Sequence, residues 1–419
     1  MTRFVTILAE NILIAVAATL IFPGCRQDGQ KNGTVDISHI HDLYIDTVSS
    51  GVNTSLFVDT ISYIKLGPTP MPVAKVDKIK IVGSRVFVMD GKVSKSLFVF
   101  DSVGNFIYNI NGPDKQLISD FCIDSLRKHI YVYFPTKHKI IKYAIATGKQ
   151  ESEVQIKGYF HELNMLDNNT FVLTRDGIAH FDNDPQKYNQ NRICVFSTSG
   201  EYLKGYINTP LFPAINYGGM HAEYSTYSNS VNIVRLYSDT VYTLTRKGLE
   251  ATYNLSLTDG KANMAFFNSS DVHAADAFTQ SGKFAGIWGS FFETGDNILF
   301  YYTRKGSVNL FWQNWRTGRK YNIAYFENDV DMFPDIGMIK FVGDDKIVAV
   351  LPAIQILNTH HALSMVKNAQ ETYKKLFAIC EGVTSLSNPI ISVQHLKASI
   401  NRPIAEYTSQ RESDSTTKK

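Results

Sequence analysis

The 419-residue chain contains 11 histidines, and they form only two compact groupings, His39-x-His41 with Asp42 and the adjacent pair His360-His361. Side chains two apart in an extended chain share one face, so His39 and His41 could ligate a metal together with Asp42. They fall in a tether or first strand, however, where the simpler reading is a pair of solvated histidines, and neither a metal site nor a cofactor is expected. His360 and His361 point in different directions at the start of a helical stretch, which suits local capping or surface contact. The densest constellation is segment 216–224 (NYGGMHAEY), where two glycines give backbone freedom beside Tyr217, His221, Glu223 and Tyr224. Asp120, Tyr159, His161, Glu162 and Trp288 extend the set. Aromatic faces supply contact area and a few polar atoms fix orientation, a combination that suits sugars or peptides. The competing reading of 216–224 is an ordinary crossover loop whose aromatics pack between structural units.

Other chemistry is sparse. No nucleophile elbow, P-loop, H-E-x-x-H or EF-hand spacing occurs, which lowers the expectation of an enzyme. Thr-Arg-Asp-Gly at 174–177 and Thr-Arg-Lys-Gly at 245–248 and 303–306 look like a repeated basic motif, but each ends a strand at a turn. Arg175, Arg246 and Arg304 therefore read as sheet-edge solubility and turn residues. Cys122, Cys194 and Cys380 sit in apolar contexts without a C-x-x-C pair and read as small buried hydrophobes. With 42 Lys and Arg against 39 Asp and Glu, the net charge of +3 supplies no basic stripe, so no nucleic-acid partner is expected.

The N-terminus reads as an address. Ile12 to Phe22 is an apolar run of 11 residues, followed at once by Pro23-Gly24-Cys25. That is signal-peptide length and well short of the roughly 20 residues a spanning helix needs. Gly24-Cys25 resembles the lipobox of bacterial lipoproteins, which implies acylation of Cys25 and a mature chain beginning there. The expected organisation is a signal peptide at 1–24, a flexible tether at 25–36, one folded domain at 37–404 and a disordered polar tail at 405–419.

Within the domain, short β-branched and aromatic runs recur four at a time between turn residues. The clearest unit reads VDKIKIV, RVFVMDG, SLFVFDSVG and NFIYNING. Second strands start near positions 86, 130, 171, 232, 298 and 347, separated by about 41 to 66 residues, as in propeller blades carrying insertions. The last unit lacks its outer strand, and Leu56 to Leu66 can supply it and close the ring. Ala362 to Glu381 has helical spacing of apolar residues and reads as one amphipathic helix. The fold class is thus all-β: a six-bladed propeller of four-stranded antiparallel blades, closed by an N-terminal strand, with one amphipathic helix near the C-terminus.

SLFVFDSVGNFIYNINGPD in the first unit, YSDTVYTLTRKGLEATYNLSL in the fourth, SNPIISVQHLK near the end and the lipobox-like Cys25 together carry a family likeness. The chain resembles the six-bladed β-propeller lipoproteins of bacterial envelopes, distant relatives of NHL and TolB-like propellers, most of which have no established activity. The resemblance implies a cell-envelope position, facing the periplasm or the cell surface, with membrane attachment through the N-terminal lipid. The function expected is a rigid binding scaffold for a glycan, a peptide or an envelope protein. Ligand-binding candidates are Asp120, Tyr159, His161, Tyr217, His221, Glu223, Tyr224 and Trp288, with Cys25 as the lipidation site. The alternative is a propeller hydrolase or lyase using His161, His221 and Glu223 at the channel mouth.

Overall fold

The computed structural model describes residues 33–45, 51–175, 191–208, 220–225, 229–235, 238–257, 285–304, 307–315, 317–333 and 337–397. Four strands precede the first complete repeat: β1 (Val35–Asp36), β2 (His41–Ile45), β3 (Val52–Asn53) and β4 (Val58–Lys65). Blade 1 comprises β5 (Lys78–Val82), β6 (Arg85–Asp90), β7 (Ser96–Asp101) and β8 (Phe106–Asn111). Blade 2 comprises β9 (Asp120–Ile123), β10 (His129–Phe134), β11 (Lys139–Ala144) and β12 (Gln150–Gln155). Blade 3 follows with β13 (Glu162–Asp167), β14 (Thr170–Thr174), β15 (Asn191–Ser197) and β16 (Tyr202–Asn208). Blade 4 is β17 (Met220–Ser225), β18 (Ser230–Arg235), β19 (Thr240–Leu244) and β20 (Leu249–Leu257). Blade 5 is β21 (Ala285–Glu293), β22 (Asn297–Arg304), β23 (Ser307–Asn314) and β24 (Lys320–Ile323), followed by the short β25 (Phe326–Glu327). Blade 6 joins β26 (Met338–Val342), β27 (Lys346–Leu351) and β28 (Ile390–Leu396) to β4.

The six-bladed propeller is therefore closed as the repeat requires. The N-terminal β4 is the outermost strand of the C-terminal blade, antiparallel to β28 with Lys65 opposite Ile390. Period-two patterning explains the core. Along β6, Val86 and Val88 join the cluster shared with blade 6, while Phe87 and Met89 join the cluster shared with blade 2. Both faces of a middle strand are thus buried, so it reads as a nearly continuous apolar run. Equivalent clusters fill each of the other blade interfaces, and the core is a ring of packed layers.

A belt around the rim was not expected from the sequence. Gly33 N–H donates to Gly205 O of blade 3, β1 and β2 then run parallel to β20 on the outer edge of blade 4, and β3 pairs with β25 beside blade 5. The chain reaches blade 6 through Phe57, whose ring stacks on Trp312 at 3.9 Å. Leu43 and Ile45 are buried in the cluster between blades 4 and 5, while His41, Asp42 and Tyr44 face solvent. Covering the edge of β20 removes a row of unpaired backbone groups that would otherwise invite strand addition.

The helical insertion lies between β27 and β28, but it starts earlier than expected and is divided. It consists of α1 (Ala353–Ser364), α2 (Ala369–Thr372) and α3 (Lys374–Cys380). β27 stops at Leu351 because Pro352 has no N–H for the ladder, and it precedes the first turn of α1, where that loss costs nothing. His360 and His361 consequently lie late in α1, where the His360 ring packs against Phe377. Lys375 Nζ donates to Ile61 O and to Asp331, tying the insertion to the closing strand. The belt predicts that Ile45→Ala lowers stability by about 2–4 kcal/mol, as for other large-to-small changes in packed cores. Urea unfolding of the full chain checks this, and a change within error would show that the belt is merely laid on the surface.

Candidate functional site

The innermost strands β5, β9, β13, β17, β21 and β26 line the central channel. At one mouth, here the crossover face, inter-blade connections lead into these strands. At the opposite mouth, the turn face, each is joined to the second strand of its blade.

Two layers of charge span the channel. In the layer nearer the crossover face, Lys78 of blade 1 grips Asp120 of blade 2 with Nζ at 2.9 Å from both carboxylate oxygens. Asp120 also accepts N–H donation from Phe121 and from Leu163 of blade 3. Glu162 of blade 3 accepts from the Thr174 hydroxyl and from the backbone N–H of Ala222 in blade 4. Burial alone would push the Lys78 ammonium down, but Asp120, Glu223 and Glu162 outweigh it and hold its pKa above the ordinary lysine value. For Asp120 burial dominates and, with Glu162 nearby, raises the carboxyl above its usual range, although Lys78 pulls it down. One ammonium shared among several carboxylates accounts for both directions.

The second layer is nearer the turn face. Lys80 of blade 1 reaches Glu223 of blade 4 at 3.3 Å, with side chains only 13% and 14% exposed. Blades 1 and 4 are opposite in a ring of six, so this pair bridges the channel. Asn164 of blade 3 is fully buried in the same layer, and its Nδ2 donates to Ala222 O. Its Oδ1 has no hydrogen-bond partner among the described residues.

Above this layer opens a cup of about 540 Å³ to which all six blades contribute. Its floor holds Lys80, Cys122, Asn164 and Glu223; Ile81, Ile123, Met165, Leu166, Phe341 and Val342 supply apolar wall, and Gly83, Ser125, Asp167, Asn229, Thr294 and Asp344 supply rim. A groove of about 660 Å³ continues from it through Ser125, Leu166, Asp167 and Asn229 toward Thr245 and Glu250. Arg246 Nε meets Asp167 at 2.9 Å where the two join.

The candidates chosen from sequence divide between the two ends. Asp120 is held in the inner ion pair and Glu223 stands on the cup floor. Tyr159 and His161 are half-buried at the crossover face, with rings edge to face at 5.4 Å. His221 and Tyr224 occupy β17 opposite Val234 and Val231. Trp288 lies at a bulge in β21, where the register with β22 slips between Ile287 and Phe291. Tyr217 and Cys25 lie outside the described residues, as do the segment expected to be a signal peptide, nearly all of the expected tether and the expected polar tail. Among the described residues no three His, Cys, Asp or Glu side chains gather to hold a metal ion.

The Thr-Arg motif is corrected. Only Arg246, 77% exposed, behaves as an edge residue, and it belongs to the turn face. Arg175 and Arg304 are 5% and 6% exposed and follow or end second strands at the crossover face, Arg175 lying over the Phe160 ring at 4.8 Å. Lys78, Lys80 and Asn164 were not singled out from the sequence. The signal was available in KIKIV, where two cations two residues apart interrupt the innermost apolar strand of the first repeat.

A family model described as "Domain of unknown function (DUF4934)" matches residues 40–394. Among solved structures, a protein of Bacteroides fragilis named as exported is similar at a TM-score of 0.64 with 16% identity, over 85% of this chain and 99% of that one. Streptogramin B lyase aligns at 0.41 with 12% identity, over 71% and 82%. BamB from Moraxella catarrhalis aligns at 0.34 with 12% identity, over 63% and 66%. No curated protein matches the chain.

The inner charge layer makes a signed prediction. Lys78→Met strands a buried carboxylate and costs about 3–5 kcal/mol, whereas adding Asp120→Leu recovers most of that loss. Because the folded pKa of Lys78 is raised, its stabilisation is complete below the unfolded value of 10.5 and fades as pH rises through the folded value. Denaturant titrations of the unsubstituted chain and both variants across pH check this: the advantage of the unsubstituted chain over Lys78→Met should shrink at high pH, and an equally destabilised double variant would contradict the account.

Proposed function

The chain belongs to the DUF4934 family, whose description assigns no activity, and from the cup at its turn face we propose that this member is a binding propeller of the bacterial cell envelope. In this reading Cys25 carries the lipid, the following residues tether the domain, and a peptide or protein partner is received in the cup. The observation that carries it is the composition of that cavity. Every blade contributes to it, so the whole closed ring fixes its shape before the partner arrives, which lowers the ordering cost of binding. Its apolar wall offers area, and its charged floor offers orientation. An envelope position is supported by the apolar run of 11 residues before Cys25 and is consistent with the similarity to a protein named as exported.

The test compares the two mouths. Full-length chain is purified from its own host envelope and analysed by native mass spectrometry for a retained peptide, protein or glycan. Ser125 is exposed and borders both the cup and the groove, so Ser125→Trp obstructs them without touching the core. The expected result is loss of the retained species in Ser125→Trp and its retention in Tyr159→Ala. The reverse pattern would move the site to the crossover face, and retention of a glycan in the cup would replace the peptide or protein partner.

A further inference from the structure

We propose that the cup selects a cationic side chain, a lysine or arginine on the partner, with its head at Glu223 and Asn164 and its aliphatic stem along the apolar wall. This rests on the reading of the cup as the binding site and specifies its ligand. The cup is lined by six carboxylates against three Lys or Arg residues, an inversion of the +3 balance of the whole chain.

Much of that acidity is already committed. Asp124 accepts from the backbone N–H groups of Lys128 and His129 and meets the His129 ring, Asp167 meets Arg246, and Glu293 accepts from Asn232 and Tyr253. What remains at the floor is an acceptor set. Glu223 pairs with Lys80 from the far side of the channel and also faces the Lys78 ammonium, and beside it the buried Asn164 Oδ1 has no hydrogen-bond partner among the described residues. A buried acceptor without a donor costs free energy that an incoming N–H recovers. An ammonium or guanidinium supplies several donors, and a long aliphatic stem lets the charge lie deep while its methylenes cover Ile123, Leu166 and Phe341. Lys80 is then a competitor: it pairs with Glu223 on the cup floor and must yield to the ligand.

Fluorescence anisotropy of the full-length chain with labelled hexalysine, hexaglutamate and hexaglycine, at about 0.15 M salt, tests the class. The net positive charge of the chain would favour hexaglutamate non-specifically, so preference for hexalysine reports the local field. Expected is hexalysine binding that Glu223→Gln weakens about tenfold, that Lys80→Met tightens by about the same factor, and that Ser125→Trp abolishes. The opposite signs of the two floor variants separate competition from simple loss of fold. Asp344→Asn, on an exposed turn of the rim, gives a second weakening variant that leaves the channel intact. Failure of hexalysine to bind, or binding indifferent to Glu223→Gln and Lys80→Met, overturns the proposal. Hexaglutamate or hexaglycine bound in the cup and blocked by Ser125→Trp would overturn the cationic class while leaving the cup as the site.

Discussion

A propeller exists only if its ring closes, and here closure depends on the pairing of β4 with β28, which brings the two ends of the repeat into one sheet. Each blade buries one face against the blade before it and one against the blade after it, so an open ring would leave one interface in water. The closing strand is reinforced from both sides. Phe57 and Val58 pack into the layer between blades 5 and 6, and Lys375 donates from α3 to the backbone of Ile61. Gly104 in blade 1 lies so close to the Lys65 carbonyl that a Cβ would collide with it, which seats the next blade against the closing strand.

Closure also fixes the chemistry. The six innermost strands meet around one axis, where side chains from four blades come within reach of one another although they are distant in sequence. The molecule fills that space with ionic and hydrogen-bonding groups. Lys78 and Asp120 form a nearly dry pair supported by two backbone donors, which offsets much of the cost of removing both charges from water. Lys80 and Glu223 close the channel one layer further on with a single contact. The tightly held layer is structural and the loosely held layer forms the floor of the cup, so rigidity and adaptability sit two residues apart on β5.

The repeat was legible because blades are local: RVFVMDG and its counterparts combine period-two burial with turn residues, and each strand pairs with its neighbour in sequence. The closing strand was legible because the last unit visibly lacked a partner. The belt was not. HDLYI alternates only over five residues, and its apolar pair Leu43 and Ile45 gains meaning only beside β20, a strand far along the chain. The Thr-Arg motif misled for a related reason. Arg246 follows a third strand and Arg304 ends a second strand, and successive strands of a blade run in opposite directions, so one sequence pattern appears at opposite faces. The candidate site was half legible. Glu223 was chosen for its aromatic and histidine neighbours, whereas its actual partner, Lys80, lies on the opposite blade and is named by no local pattern.

The most direct measurement is a crystal structure of the full-length chain with the species it retains from its host envelope. The account predicts density on the cup floor, in contact with Glu223 and Asn164, with Lys80 displaced from its bridge. Density confined to the crossover face near Tyr159 and His161, with the Lys80–Glu223 bridge intact, would contradict it.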